Sequence, residues 1–164
     1  MPSFPQSSFR EKLKNTFFLR GFGFLKIPLL FYVSPTVEVL NASECVVRIP
    51  LNRKTKNHWG SLYFGAFAIG ADCACGLLAM SQIKKLRAPV TLLFKDFKAD
   101  FFKRGEGDVW FQCSEGKAVQ TLIEQAMKTG KRESQAFKVI AWEPKKFPNE
   151  PVAEFSLTLS LKKK

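Results

Sequence analysis

The sequence predicts an α+β fold in which an antiparallel sheet wraps around one long central helix. Three observations support this prediction. A nearly uncharged run from about Leu62 to Met80 is long and apolar enough to form a buried helix. Runs rich in β-branched and aromatic residues lie on both sides of it, separated by turn-forming segments. The chain has 164 residues, a length that suits a single hydrophobic core.

The N-terminal segment predicts a helix and a second, shorter helical piece. Residues 1–7 contain two prolines and are expected to form a loose lead-in. Ser8 is a candidate helix cap, and charged and apolar residues alternate with helical spacing after it. This helix could pack on the body of the protein, act as a lid or lie on a membrane surface. We therefore divide the chain into an N-terminal helical extension, 1–34, and a main domain, 35–164.

The main domain contains several predicted strands and one further helix. Turn-forming residues at 41–43 join two β-branched runs into a hairpin. An amphipathic helix is predicted for KAVQTLIEQAMK, with Gly130 as its stop. Further strands are predicted in VTLLFKDFKADFF, VWFQCS, SQAFKVIAW and VAEFSLTLSL. The last of these alternates apolar and polar residues, which predicts one buried and one solvated face.

The formal net charge of +12 predicts an anionic partner. Nucleic acid, an acidic membrane surface and a phosphate-bearing small molecule all meet that description. The sequence contains no zinc-finger pattern, no aromatic and basic ribonucleoprotein motif and no long basic helix. We therefore predict that the protein does not bind nucleic acid.

The four cysteines predict reduced thiols in a cytoplasmic protein, since no cleavable signal is evident. Cys73 and Cys75 are two residues apart, a spacing that fits neither a zinc knuckle nor a thioredoxin motif. We therefore predict no bound metal.

One carboxylate, Asp72, lies in the middle of the predicted central helix. A charge at this position argues against a membrane span, and burying it is costly unless it is satisfied or functional. The helix is also apolar on nearly all sides, so one sheet cannot cover it. Pairing with a second copy of the chain is therefore expected.

The stretch KNHWGSLYFGAFAIGAD resembles the start of the central helix in hotdog-fold thioesterases. The resemblance is to the phenylacetyl-CoA-thioesterase-like group and to a related, uncharacterised bacterial domain family. Their pattern is an Asn in the loop, a Gly at the helix start and an acid two turns later. Those positions are Asn57, Gly65 and Asp72 here. The stretches VTLLFKDFKADFFKRGEGDVWF and PVAEFSLTLSLK are also similar, so the resemblance covers roughly residues 35–164.

The resemblance implies a hotdog fold and hydrolysis of an acyl-coenzyme A thioester, with no cofactor besides the coenzyme A of the substrate. It implies that Asp72 is the nucleophile or general base and that Asn57 positions the carbonyl or a water. Amide groups near Gly65 would stabilise the oxyanion. The family forms homodimers with sites that cross the interface, and a tetramer is left open. Candidate substrate-binding residues are His58, Trp59, Tyr63, Phe64, Phe102, Lys103 and Arg104.

An alternative function is a non-catalytic module that binds an acyl chain or a lipid. Many relatives have His-Gly-Gly before the helix, and this chain has Tyr63-Phe64-Gly65 there. A substrate-contacting histidine of those enzymes is therefore missing. The 17 phenylalanines also suit a greasy cavity.

Overall fold

The computed structural model describes residues 7–164, so residues 1–6 of the predicted lead-in lie outside the described residues. The helices are α1 (Phe9–Lys26), α2 (Pro28–Tyr32), α3 (Phe64–Lys85) and α4 (Gly116–Thr129). The strands are β1 (Thr36–Leu40), β2 (Cys45–Ile49), β3 (Val90–Phe101), β4 (Val109–Cys113), β5 (Arg132–Trp142) and β6 (Pro151–Lys163).

The six strands form one sheet in the order β1-β2-β4-β5-β6-β3, with antiparallel neighbours throughout. The long helix α3 packs against β2, β4, β5 and β6. The predicted α+β architecture is therefore confirmed.

Strand β6 shows the predicted alternation and directs its apolar residues into the core. Its buried side chains include Ala153, Phe155, Leu157, Leu159 and Leu161. Each of these pairs with a residue of β3, which runs beside β6 along its whole length and carries one bulge between Phe94 and Asp96. Because β3 is the last strand in the sheet order, its other edge has no strand partner within residues 7–164.

Helix α3 begins at Phe64 and ends at Lys85, five residues beyond the predicted end at Met80. The polar stretch after Met80 suggested a loop, but Gln82 is buried and donates from Nε2 to the carbonyls of Ala42 and Gly116. Lys84 and Lys85 also stand in the last turn, where cations complement the helix dipole. Although α3 is long and apolar enough to cross a membrane, 61% of its apolar window is buried inside the protein, as expected for a core helix.

The predicted Ser8 cap and the second helical piece are both present. Ser8 and Glu11 form a reciprocal capping box, in which the Glu11 amide donates to Ser8 Oγ. Helix α1 then continues to Lys26, and α2 begins at Pro28. Gly23 lets the two helices approach closely, because a Cβ at this position would lie 2.8 Å from the Phe31 amide nitrogen.

Helix α1 lies against β1, the edge strand at the opposite end of the sheet from β3. The Val37 amide donates to Thr16 Oγ1 at 3.0 Å, and Arg20 Nε donates to the Pro35 carbonyl at 2.9 Å. These bonds hold α1 beside β1, and Leu19 and Leu30 join the main core. The free edge of β3 is thus the place where the sheet can be extended.

Candidate active site

A cavity of about 410 Å³ lies between α3, β3 and the α1–α2 pair, and Asp72 is in its wall. Its other described lining residues are uncharged and mainly apolar. They include Phe18, Phe22, Leu30, Leu77, Leu92 and Phe94. This volume falls in the range of small-molecule sites.

Asp72 has no hydrogen bond or ion pair to any residue in the described part of the chain. Burial alone raises the pKa of its carboxyl from 3.8 to about 6. Gly76, one turn further along α3, leaves room beside the carboxylate: a Cβ there would lie 3.4 Å from Asp72 Oδ1 and 3.6 Å from the Phe94 ring. A half-buried, unpaired carboxylate in an apolar cavity is more typical of a functional site than of a structural role.

A second cavity, of about 240 Å³, lies at the N-terminal entrance of α3. Loop 57–62, α3 and the end of β3 form its walls. The predicted site residues in it are Asn57, Trp59, Phe64, Lys103 and Arg104. The structure therefore brings together five of the residues proposed from the sequence.

The first turn of α3 presents unpaired backbone donors at this entrance. The N-cap residue Tyr63 supplies no side-chain cap, and the Ala66 and Phe67 amides donate to the Tyr63 carbonyl. Within residues 7–164 the amides of Phe64 and Gly65 have no acceptor. Such groups are the usual donors to an anion or oxyanion. Gly65 also accommodates the Tyr63 ring, since a Cβ there would lie 2.7 Å from Tyr63 Cε1.

Asn57 holds the loop that leads into α3. Its Oδ1 accepts from the amides of Trp59 and Ser61 at 2.9 and 3.1 Å, and its Nδ2 donates to Ser61 Oγ at 3.0 Å. The carbonyl oxygen of the side chain is therefore occupied. One N–H of Nδ2 is left for a ligand, because Ser61 Oγ is the one acceptor it has in the described residues.

Three of the predicted substrate-binding residues lie outside both cavities. His58 is exposed and its ring centroid is 5.2 Å from that of Trp59. Tyr63 is exposed beside Phe64. Phe101, the last residue of β3, lines the entrance cavity, and Phe102, which follows the strand, is exposed.

The basic residues near the entrance have different environments. Lys103 forms an ion pair with Glu150 and lies 4.7 Å from the centroid of the Phe147 ring. Arg104 is exposed. Arg48, on β2, is engaged elsewhere: it forms ion pairs with Glu38 at 2.9 Å and Asp108 at 2.6 Å.

The carboxylate and the helix entrance do not share a cavity within one chain. Asp72 follows Gly65 by seven residues, which places the two about 10 Å apart along the helix axis. A water activated at Asp72 could not attack a carbonyl held at the amide of Gly65 in the same chain, because reacting atoms must lie within about 3.5 Å. Within one chain, Asp72 and the amide of Gly65 therefore cannot act on the same thioester carbonyl.

The sequence did not identify α1 and α2 as walls of the Asp72 cavity. Phe18, Leu19 and Phe22 of α1 and Leu30 of α2 lie in its wall. A signal was present, because α1 has apolar residues on both faces, more than are needed to pack against the sheet.

No group of three or more His, Cys, Asp or Glu side chains that could hold a metal ion occurs among the residues described here. All four cysteines are free and buried.

An antiparallel sheet wrapped around one long helix defines the hotdog class, and solved structures confirm this fold. A Pseudomonas aeruginosa protein of unknown function, described as a "probable thioesterase", is 21% identical with a TM-score of 0.74, covering 90% of this chain and 95% of that one. A thioesterase from Haemophilus influenzae is 14% identical with a TM-score of 0.63, covering 88% and 90%. A thioesterase family protein from Silicibacter pomeroyi is 16% identical with a TM-score of 0.65, covering 96% and 100%.

Residues 15–159 match the family described as "Domain of unknown function (DUF4442)". The chain belongs to that family. No curated protein matches the chain. The resemblance predicted from the sequence, to the hotdog thioesterase-like superfamily and to an uncharacterised family within it, is confirmed.

Proposed function

We propose that this protein is a thioesterase that hydrolyses an acyl-coenzyme A, with Asp72 as general base or nucleophile. The observation that carries the proposal is the unpaired Asp72 carboxylate in the wall of an apolar cavity. The cavity would take the acyl chain and place its thioester end near the acid. The thioesterases among the structural neighbours support the same class of reaction.

The complete site would form in a homodimer that pairs β3 with β3 of a second copy. Antiparallel pairing about a two-fold axis near the middle of β3 places the start of one strand beside the end of the other. Leu92 and Phe94, at the start, line the Asp72 cavity, whereas Phe101, at the end, lines the entrance cavity. Each Asp72 would then face the helix entrance of the partner copy. Whether two dimers pair again stays open.

The proposed chemistry has two parts. As a general base, the Asp72 carboxylate takes a proton from water while the water oxygen bonds to the thioester carbon. As a nucleophile, the carboxylate itself attacks that carbon, and water later hydrolyses the resulting anhydride. In both routes the carbonyl oxygen gains negative charge next to the free amides of α3, then the C–S bond breaks and the coenzyme A sulfur leaves and is protonated.

The basic residues suit the phosphates of coenzyme A. Lys103 and Arg104 line the entrance cavity, and the exposed residues Arg53, Lys54 and Lys56 lie in the loop that precedes it. Phosphate is held well by guanidinium and ammonium groups.

Because the thiols are free, we place the enzyme in the cytoplasm.

The proposal predicts that Asp72→Asn abolishes hydrolysis of short, long and aromatic acyl-coenzyme A substrates while the fold is retained. The amide can neither accept the proton nor attack the carbonyl. Steady-state kinetics and circular dichroism measure the two effects, with Glu124→Gln, an exposed carboxylate on α4, as the matched control. Full activity of the Asp72→Asn variant would reject the assignment.

Label incorporated into Asp72 during a single turnover in ¹⁸O-labelled water identifies the nucleophilic route. A nucleophilic Asp72 acquires the label when its anhydride is hydrolysed at the carboxyl carbon of the aspartate, and a general base stays unlabelled. Mass spectrometry of the peptide that contains Asp72 detects the label.

A second candidate function is a module that binds acyl chains without hydrolysis. The observation that favours it is the engagement of Asn57 Oδ1 and Nδ2 within their own loop, together with Tyr63-Phe64 at the helix start. A co-purified fatty ligand in native mass spectrometry, combined with no turnover on any acyl-coenzyme A, would favour this function.

A further inference from the structure

The outward face of α1 and α2 concentrates exposed apolar side chains. Of the 18 large apolar residues that are exposed in the described residues, ten lie in this segment. Phe9 and Phe17 are 75% and 74% exposed. A surface of this kind is unusual for a protein that has no partner there.

The helical spacing shows that α1 is apolar on two opposite faces. Phe9, Leu13 and Phe17 follow one another at intervals of four residues and form a stripe on the outside. Leu19 is buried, and it lies with Phe22 in the wall of the Asp72 cavity. The inward face is therefore used by the fold and the cavity, and no other part of residues 7–164 covers the outward face.

Cations border this apolar face. Residues 7–33 contain five basic residues and one acidic residue, Glu11. Lys54 Nζ lies 5.2 Å from the centroid of the Tyr32 ring on α2, and Lys84 Nζ lies 5.5 Å from that of the Phe18 ring on α1. Both ammonium groups come from elements outside α1 and α2. Lys54 borders the exposed face of α2, and Lys84 lies beside Phe18, a partly exposed residue that also lines the Asp72 cavity.

We propose that the outward face of α1 and α2 docks on the surface of an anionic lipid bilayer. The phenylalanines and leucines would enter the boundary between headgroups and acyl chains, while Lys54, Lys84 and the exposed residues Arg10, Lys14 and Lys26 contact the anionic headgroups. The other two cations of α1, Lys12 and Arg20, are engaged with Glu38 and with the Pro35 carbonyl. The positive charge beside this face favours an anionic bilayer over a second copy of the chain. A second copy of the chain on the same face would set one cationic border against an identical one, because a two-fold interface pairs a patch with itself.

Docking has a consequence for the cavity, and this step rests on the proposed function. Because α1 and α2 also wall the Asp72 cavity, a docked protein would hold that cavity next to the membrane surface, with one layer of helix between it and the lipid. The protein would then draw an acyl thioester from the membrane surface into the cavity with little exposure of the chain to water.

The test is co-sedimentation of the full chain with vesicles of phosphatidylcholine alone or of phosphatidylcholine with phosphatidylglycerol. We expect binding to be at least about tenfold tighter with phosphatidylglycerol and to weaken as salt is added. Phe17→Gln with Leu25→Gln, both at exposed positions, should weaken it by about tenfold or more, because their apolar contacts are lost. Lys54→Gln with Lys84→Gln should reduce the preference for phosphatidylglycerol, because two of the cations that contact the headgroups are lost.

Lys138→Gln is the matched control, because Lys138 alternates with the buried residues Phe137 and Val139 and therefore lies on the outer face of the sheet, away from α3. It should leave vesicle binding unchanged.

The inference is overturned if neither vesicle binds the protein or if Phe17→Gln with Leu25→Gln binds as well as the unsubstituted chain. Loss of self-association in that variant, seen by light scattering, would show instead that the face joins two copies. Asp72→Asn should bind vesicles normally, so failure of the catalytic proposal and failure of docking are separable.

Discussion

At the scale of single residues, the charge on Asp72 opposes folding. Burial raises the pKa of this carboxyl from 3.8 to about 6, so the folded chain holds a proton that the unfolded chain releases at lower pH. The stability that the neutral form provides is fully present below about pH 4 and is lost as pH rises through about 6. A group that destabilises the fold when charged is more easily explained by function than by stability.

Asp72→Asn is therefore expected to stabilise the protein at neutral pH. The amide has no charge to desolvate, and a pKa difference from 3.8 to about 6 corresponds to at most about 3 kcal/mol. Near pH 4 the two proteins should be almost equally stable. Urea unfolding at both pH values measures the difference.

The raised pKa of Asp72 also predicts the pH dependence of activity. The value of kcat/KM of the unsubstituted enzyme should rise with pH through about 6, because the carboxylate is the active form.

Glu124→Gln provides the control for the stability measurement, because this exposed side chain bonds to Gln120 on the surface of α4. It should change the free energy of unfolding by a few tenths of a kcal/mol at most. An Asp72→Asn protein that is less stable at neutral pH would indicate that the carboxylate has a structural partner.

At the scale of elements, the α1–α2 pair is held close by Gly23. We predict that Gly23→Ala lowers the free energy of unfolding by about 1–3 kcal/mol, because its Cβ would lie 2.8 Å from the Phe31 backbone nitrogen and would force the helices apart. Thermal unfolding measures the effect. Separation of the helices would also open the Asp72 cavity and weaken the binding of an acyl ligand.

Gly21→Ala is the matched control, two residues away on the same helix. A Cβ at Gly21 meets nothing within 4 Å, so alanine should stabilise α1 by up to about 1 kcal/mol through its helix propensity. Equal effects of the two substitutions would show that the contact between α1 and α2 is not tightly packed.

The sequence predicted most elements because their signals are local. The Ser8 cap, the hairpin at 41–43, the stop at Gly130 and the alternation in β6 each depend on neighbouring residues, and each is confirmed. The end of α3 was missed because the burial of Gln82 depends on the carbonyls of Ala42 and Gly116, which are distant in sequence. A polar residue with buried partners resembles a loop residue when its partners are unknown.

At the scale of the whole molecule, the site divides between two cavities. The sequence placed Asp72, Asn57 and Gly65 in one motif, and the structure confirms that Gly65 lies in the first turn of α3 with Asp72 two turns later. It could not show that the acid lies in a hollow walled by α1 and α2, because that contact joins segments about 50 residues apart. The boundary proposed at residue 34 and the homodimer stay predictions.

The most direct test of the composite site mixes two inactive variants, Asp72→Asn and Gly65→Leu. The leucine fills the helix entrance, and the exposed Tyr63 ring can move aside for it. Dimers that contain one chain of each kind have one intact site if Asp72 acts on substrate held by the partner copy. Random exchange of subunits should then restore about a quarter of the sites, whereas each variant alone stays inactive. A mixture that remains inactive, although mass spectrometry shows that mixed dimers have formed, would contradict a site shared between two copies.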